Sequence, residues 1–155
     1  MIPRPLYIFD LDGTLANLDH RKHHLEATDK EKWNRFYDAC GGDIPILPVL
    51  STLNRLILAG AEVWIFSGRS ARVRQLTTDW LLPFVYLSNE ELALALVMRP
   101  EGDNRPDDEL KQMFLDSMLE FDRQRLVAVF DDRQRVVDMW RRNGIPCFQV
   151  APGDF

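Results

Sequence analysis

A chain of 155 residues is long enough to bury one sizeable core but not two, so a single domain over residues 1–155 is expected. Hydrophobic residues at 46% and charged residues at 28% exclude a disordered chain, and no run reaches the roughly 20 apolar residues that span a bilayer. A net charge of −5 argues against a protein that wraps nucleic acid with a broad basic surface, and leaves room only for local contact.

The N-terminal Met1-Ile2-Pro3-Arg4-Pro5 runs straight into an apolar stretch and lacks the three regions of a secretory signal. Cys40 and Cys147 lie far apart, with no second ligand at zinc-like spacing, and read as free thiols. The expectation is a cytoplasmic protein with no membrane contact and no protein partner.

The first apolar run, Leu6-Tyr7-Ile8-Phe9, reads as a buried strand that delivers Asp10 to a sheet edge. Helical spacing follows over 30–39 and again over 48–59, where Pro48 suits a first turn and Gly60 a C-cap. A strand over 63–66, a helix over 71–82, a strand over 94–97 and a helix over 107–120 come next. The chain closes with a strand over 126–130, a helix over 134–143 capped by Gly144, and a strand over 147–150. Such alternation predicts an α/β fold, a Rossmann-like parallel sheet flanked by helices on both faces. Ligands then bind outside the carboxyl ends of the strands.

Chemistry-bearing residues stand at those ends: Asp10-Leu11-Asp12-Gly13-Thr14, Ser67-Gly68-Arg69 and Asp131-Asp132-Arg133. An Asp-rich turn after one strand is commonly a capping device. Two more carboxylates converging on the same edge change the reading, because such a group repels itself unless a cation sits within it. Mg²⁺ fits, since it takes oxygen ligands and keeps room for water and a substrate phosphate. Ser67 offers a hydroxyl and Lys111 a point charge for a transferred phosphoryl group, although either alone reads as a cap or a solvated side chain.

In this order and spacing the residues resemble the haloacid dehalogenase superfamily of phosphotransferases. Asp10-Leu11-Asp12-Gly13-Thr14, Ser67, Lys111 and Asp131-Asp132 look like its four motifs. The resemblance implies that Asp10 attacks phosphorus while Asp12 protonates the leaving oxygen and then activates water. It implies Mg²⁺ held by Asp10, the backbone carbonyl of Asp12 and the pair Asp131 and Asp132. Ser67, Gly68, Arg69 and Lys111 would bind the phosphate.

A narrower resemblance, to the phosphatase domain of bacteriophage polynucleotide kinase-phosphatases, is carried by Asp131-Asp132-Arg133, Val136-Val137-Asp138-Met139-Trp140-Arg141-Arg142 and Gln149-Val150-Ala151-Pro152-Gly153-Asp154-Phe155. Gly102-Asp103 and Arg105-Pro106-Asp107-Asp108 also resemble that group. It implies that Asp107, Arg69 and Arg21 support phosphate binding, with Thr14 and Arg133 as further substrate contacts. A phage-encoded protein of this kind would work in the host cytoplasm. The Gly-x-x-x-x-Gly-Lys-Ser/Thr loop of the companion kinase does not occur, so kinase activity is not expected.

The interval 70–111 leaves room for one helix and one strand, and 15–47 for a loop and a short helix, so no large cap is expected and the site should be open. An open site and the phage resemblance point to 3′-phosphate ends of DNA or RNA. The acidic net charge points instead to free nucleoside monophosphates, a nucleotidase activity. A response-regulator-like receiver and a non-catalytic end-binding domain are the readings outside phosphatase chemistry. His20-Arg21-Lys22-His23-His24 reads as a solvated or substrate-facing loop rather than a metal site. Trp33, Phe36 and Tyr37 recur at helical spacing and read as packing residues, with stacking of one of them on a base as the functional alternative.

Overall fold

The computed structural model describes residues 2–153; Met1 and the closing Asp154-Phe155 of the phage-like segment lie outside the described residues. Strand β1 (Leu6–Phe9) is followed by a short β2 (Ala16–Asn17), a 3-10 helix over Asp19–Glu26, helix α1 (Lys32–Asp38) and a 3-10 turn over Ala39–Gly42. Strand β3 (Ile44–Pro45) pairs antiparallel with β2 and leads into α2 (Leu47–Leu58). Then come β4 (Glu62–Ser70), α3 (Arg74–Leu81), α4 (Asn89–Ala95), β5 (Leu96–Arg99), α5 (Asp107–Asp116), α6 (Glu120–Arg125), β6 (Leu126–Asp131), α7 (Gln134–Arg142) and β7 (Cys147–Gln149).

Five parallel strands form the main sheet in the order β5-β4-β1-β6-β7. Strand side chains alternate between faces. Phe9, Val63 and Ile65 therefore meet Leu50, Leu53, Trp80, Leu81 and Leu92 from α2, α3 and α4 on one side. Leu6, Ile8, Phe66 and Val129 meet Leu110, Phe114, Val136 and Trp140 from α5 and α7 on the other. The chain leaves β1 toward β4 and later returns to the opposite side of β1 as β6. That change of direction opens a crevice above the carboxyl end of β1.

The expected strands and main helices are present, and Gly60 and Gly144 adopt the left-handed conformation of C-caps at φ 91 and 75. Three boundaries differ. Leu94 and Ala95 end a helix rather than begin a strand, because Ser88 and Glu91 form a capping box that nucleates α4, and Leu92 and Ala95 bury its inner face. The helix expected over 107–120 stops at Asp116, where the Ser117 hydroxyl donates to the Met113 carbonyl at 2.8 Å and the chain turns extended at Leu119 before α6. Ser67-Gly68-Arg69 lies within β4 instead of after it, with an irregular register against β5 between Ser67 and Ser70. Among the described residues no helix is long and apolar enough to cross a membrane, and there is no large cap.

Candidate active site

The turn after β1 is built for close approach. The Asp10 amide donates to the Phe130 carbonyl at 2.9 Å, carrying the sheet ladder one residue beyond the strand. Leu11 then accepts amides from Thr14, Leu15 and Ala16, which folds the chain back on itself. Gly13 makes this possible at φ 85, and a Cβ there would collide with the Asp132 carboxylate. Gly13→Ala is therefore expected to displace Asp132 and to cost stability by at least about 1–2 kcal/mol from the left-handed backbone alone. Thermal unfolding together with metal titration checks both effects.

Two charge networks meet at this turn. In the first, Lys111 on α5 donates to Asp10 Oδ1 at 2.6 Å and to Asp131 Oδ2 at 2.7 Å. Thr14 donates to Asp10 Oδ2 at 3.0 Å, and Asp131 Oδ1 accepts the Asp132 amide at 2.9 Å. Ligand atoms of Asp10, Asp131 and Asp132 lie within 4.8 Å of one another. Three carboxylates face one ammonium, so two negative charges are unmatched when all are ionised. Burial, then repulsion from Asp131, pushes the Asp10 carboxyl well above its usual range and Asp132 up to about 6. Lys111 stays charged: burial opposes its proton, but Asp10 and Asp131 more than offset that and raise it.

The second network is balanced. Arg21 and Arg69, both fully buried, face Asp12 and Asp43. Asp12 Oδ1 accepts from Arg21 Nη2 at 2.7 Å and from Arg69 Nε and Nη2 at 2.9 and 2.7 Å. Asp43 accepts from Arg21 Nε at 2.7 Å and Nη2 at 2.8 Å, and from Arg69 Nη2. His20 Nε2 lies 2.8 Å from Asp43 Oδ1, and the Asp43 carbonyl accepts the Trp80 indole N–H at 2.8 Å. Burial opposes ionisation of Asp12, but Arg69 and Arg21 outweigh it and hold the carboxyl below the usual range.

A third group lines the adjoining wall. Arg99, at the end of β5, donates to the Gly68 carbonyl at 2.8 Å, the Arg105 carbonyl at 2.6 Å and Asp107 Oδ1 at 2.6 Å. Asp107 Oδ2 accepts from Arg133 at 2.7 Å. Ser67 is fully buried beneath, its hydroxyl accepting the Arg69 amide at 3.1 Å. Asp10, Asp12, Gly68, Lys111, Asp131 and Asp132 open onto a cleft of about 1060 Å³, which Arg99, Arg105, Asp107 and Arg133 also line.

The structure thus brings Asp10, Asp12, Thr14, Lys111, Asp131 and Asp132 together, with Ser67, Gly68, Asp107 and Arg133 at their margin. Arg21 and Arg69 are placed differently from direct phosphate contacts, since both are buried against Asp12 and Asp43. The histidine cluster, expected as a solvated or substrate-facing loop, lies in a 3-10 helix in which Arg21 is buried and Lys22 lines the cleft. Asp43 and Arg99 escaped notice in the sequence. Neither sits in a motif, and an isolated acidic or basic residue carries no mark of burial until its partners are known.

The parallel sheet with its order of strands, the uncapped cleft and the carboxylate cluster at the carboxyl ends of β1 and β6 are those of the haloacid dehalogenase fold. Residues 4–155 match the family described as the polynucleotide kinase PNKP phosphatase domain, and the chain belongs to that family. A protein of Autographa californica nuclear polyhedrosis virus, provisionally named a bifunctional polynucleotide kinase/RNA ligase, is 29% identical over 138 residues, covering 88% of this chain and 18% of that protein. A structure of the Pnkp1/Rnl/Hen1 RNA repair complex contains a chain that is 32% identical, with a TM-score of 0.73 over 98% of this chain and 44% of that one. The chain therefore spans less than half the length of these relatives. The class C acid phosphatase of Bacillus anthracis shares the fold, with a TM-score of 0.67 at 11% identity over 99% of this chain and 68% of its own.

Proposed function

We propose that residues 1–155 act as one magnesium-dependent phosphatase domain that removes phosphate from the 3′ ends of polynucleotides, with Asp10 as nucleophile. The observation that carries this reading is the cluster of Asp10, Asp131 and Asp132 around Lys111, short of two positive charges, at the floor of an uncapped cleft. An Asp10 oxygen attacks phosphorus, the bond from phosphorus to the ester oxygen breaks, and that oxygen takes a proton from Asp12. Asp12 then takes a proton from water, whose oxygen attacks the aspartyl phosphate, releasing inorganic phosphate and restoring Asp10.

Asp12 suits this work through its free oxygen. Its guanidinium contacts all fall on Oδ1, leaving Oδ2 for the proton. Arg21 and Arg69 favour its ionised form, and the charge of an incoming phosphate counters them. Asp10, Asp131, Asp132 and the Asp12 carbonyl would hold Mg²⁺, which when bound neutralises carboxylate and phosphoryl oxygens. Protons compete for the same oxygens, so cation affinity is expected to fall as pH drops through about 6, where Asp132 protonates. Calorimetric titration with Mg²⁺ or Mn²⁺ checks this, and an affinity independent of pH would remove Asp132 from the site. The metal-free fold follows the opposite sign. A carboxyl raised on folding stabilises below its unfolded value, and that contribution is lost as pH rises through about 6.

Nucleic-acid ends as substrate are supported by the family and by Lys22, Lys30, Arg72, Arg105 and Arg135 along the cleft. The RNA repair complex that contains a similar chain supports RNA among them, and it removes the ground for expecting no protein partner. The net charge of −5 favours free nucleoside monophosphates instead. Phosphate release with Mg²⁺ from a 3′-phosphorylated oligonucleotide, a 5′-phosphorylated one, and free 3′- and 5′-nucleoside monophosphates decides. Preference for the first supports the proposal; preference for a free mononucleotide retains the chemistry and replaces the substrate.

A further inference from the structure

The cleft is far larger than a phosphate requires, and one of its walls is aromatic. Helix α1 and the 3-10 helix before it contribute Leu25, Trp33, Phe36 and Tyr37 to that wall. Trp80 and Trp140 are buried, but Trp33 is 49% exposed and is among the residues that line the cleft.

The position of this ring relative to the phosphate-binding floor is defined. The Tyr37 hydroxyl donates to the Gly68 carbonyl at 3.4 Å, so Tyr37 touches the Ser67-Gly68-Arg69 segment. Trp33 stands one helical turn away, its ring centroid 6.1 Å from that of Tyr37 and tilted by 31°. Phe36 meets it edge-on, also at 6.1 Å. Arg72 ties the helix to the end of β4 by donating to the Asn34 carbonyl at 3.2 Å and to Asp38 at 2.6 Å. The platform is thus held in place before any ligand arrives, which lowers the ordering cost of binding. Lys30 and Arg105 line the same cleft and suit a polyanion.

We infer that Trp33 is the platform on which the base of the terminal, phosphate-bearing nucleotide stacks, a role that rests on the polynucleotide-end reading above. The phosphate lies over Asp10 and Gly68, the sugar passes Tyr37, and the base covers the exposed face of Trp33. Every base has a π face, so the stack selects a nucleotide over a smaller phosphate ester without selecting a sequence.

The test is a cycle of two enzymes and two substrates: wild type and Trp33→Ala, each with a 3′-phosphorylated oligonucleotide and the same oligonucleotide lacking its terminal base. The expected result is a KM raised about 5- to 150-fold by Trp33→Ala on the intact end. On the abasic end KM should be unchanged, with kcat preserved on both. Trp33→Phe, which keeps a smaller ring, should fall between. Equal effects on the two ends, or none, with a wild-type preference for the intact end would overturn the stack and leave the proposed function standing. Should Trp33→Ala lose activity on both ends, Trp33→Phe decides: a KM raised on the intact end alone supports the stack, and equal changes overturn it. A wild type that treats the two ends and small phosphate esters alike would overturn both.

Discussion

Replacing Asp10 with asparagine is expected to abolish turnover while leaving the fold intact. Asparagine keeps the shape of the side chain and can still accept from Lys111 Nζ, which lies 2.6 Å from Oδ1. It removes the charge that attacks phosphorus, and phosphate monoesters are among the slowest substrates to react without help, needing up to ~10²¹-fold acceleration. Loss of a covalent nucleophile elsewhere costs about 10⁶-fold in kcat, which sets the expected scale. The thermal midpoint without metal should hold or rise, since one of three mutually repelling carboxylates is neutralised. Asp12→Asn should also stop turnover, but at a different point. Its Asp10 can still attack an ester with a good leaving group, so mass spectrometry should find a phosphoryl group retained on the protein. Asp10→Asn with more than about one per cent of wild-type activity would contradict the mechanism.

Asp43→Ala should have the largest effect on stability. It strips two buried guanidiniums of a carboxylate that accepts from both Arg21 and Arg69, and leaves Asp12 as their remaining anion. Removing one partner from a buried ion pair typically costs about 3–5 kcal/mol, because the surviving charge stays desolvated. For a chain of this size that corresponds to a midpoint lower by roughly 6–20 °C. Activity should fall at least about 100-fold in the molecules that remain folded, since Arg21 and Arg69 are what orient Asp12. Thermal unfolding and kcat measured well below the new midpoint separate the two effects. A shift under about 2 °C would mean that these arginines find other partners.

Both substitutions show where the primary structure was legible. Asp10 could be named in advance because Leu6–Phe9 is a short apolar run and Gly13 permits the turn that follows. Asp131-Asp132 is legible because it ends the apolar run over 126–130, and Lys111 is legible through the resemblance of the four motifs. Asp43 follows two glycines and precedes a two-residue strand, and nothing local distinguishes it from a surface aspartate. Leu94 and Ala95 misled for a related reason, since a short apolar run suits a strand or a buried helix alike, and the capping box at Ser88 decided for the helix.

The amino-acid order by itself determined the strands, the helices with glycine caps and the residues delivered to the carboxyl ends of the sheet, because those depend on side-chain periodicity and on turns a few residues long. Tertiary structure alone decided which charges neutralise one another. Lys111 reaches Asp10 across 101 positions and Arg69 reaches Asp12 across 57. It also decided that Arg21 is buried while Trp33, on the cleft wall, remains half exposed. Burial and charge balance are properties of pairs brought together by folding, so they become visible when both partners have a place in space.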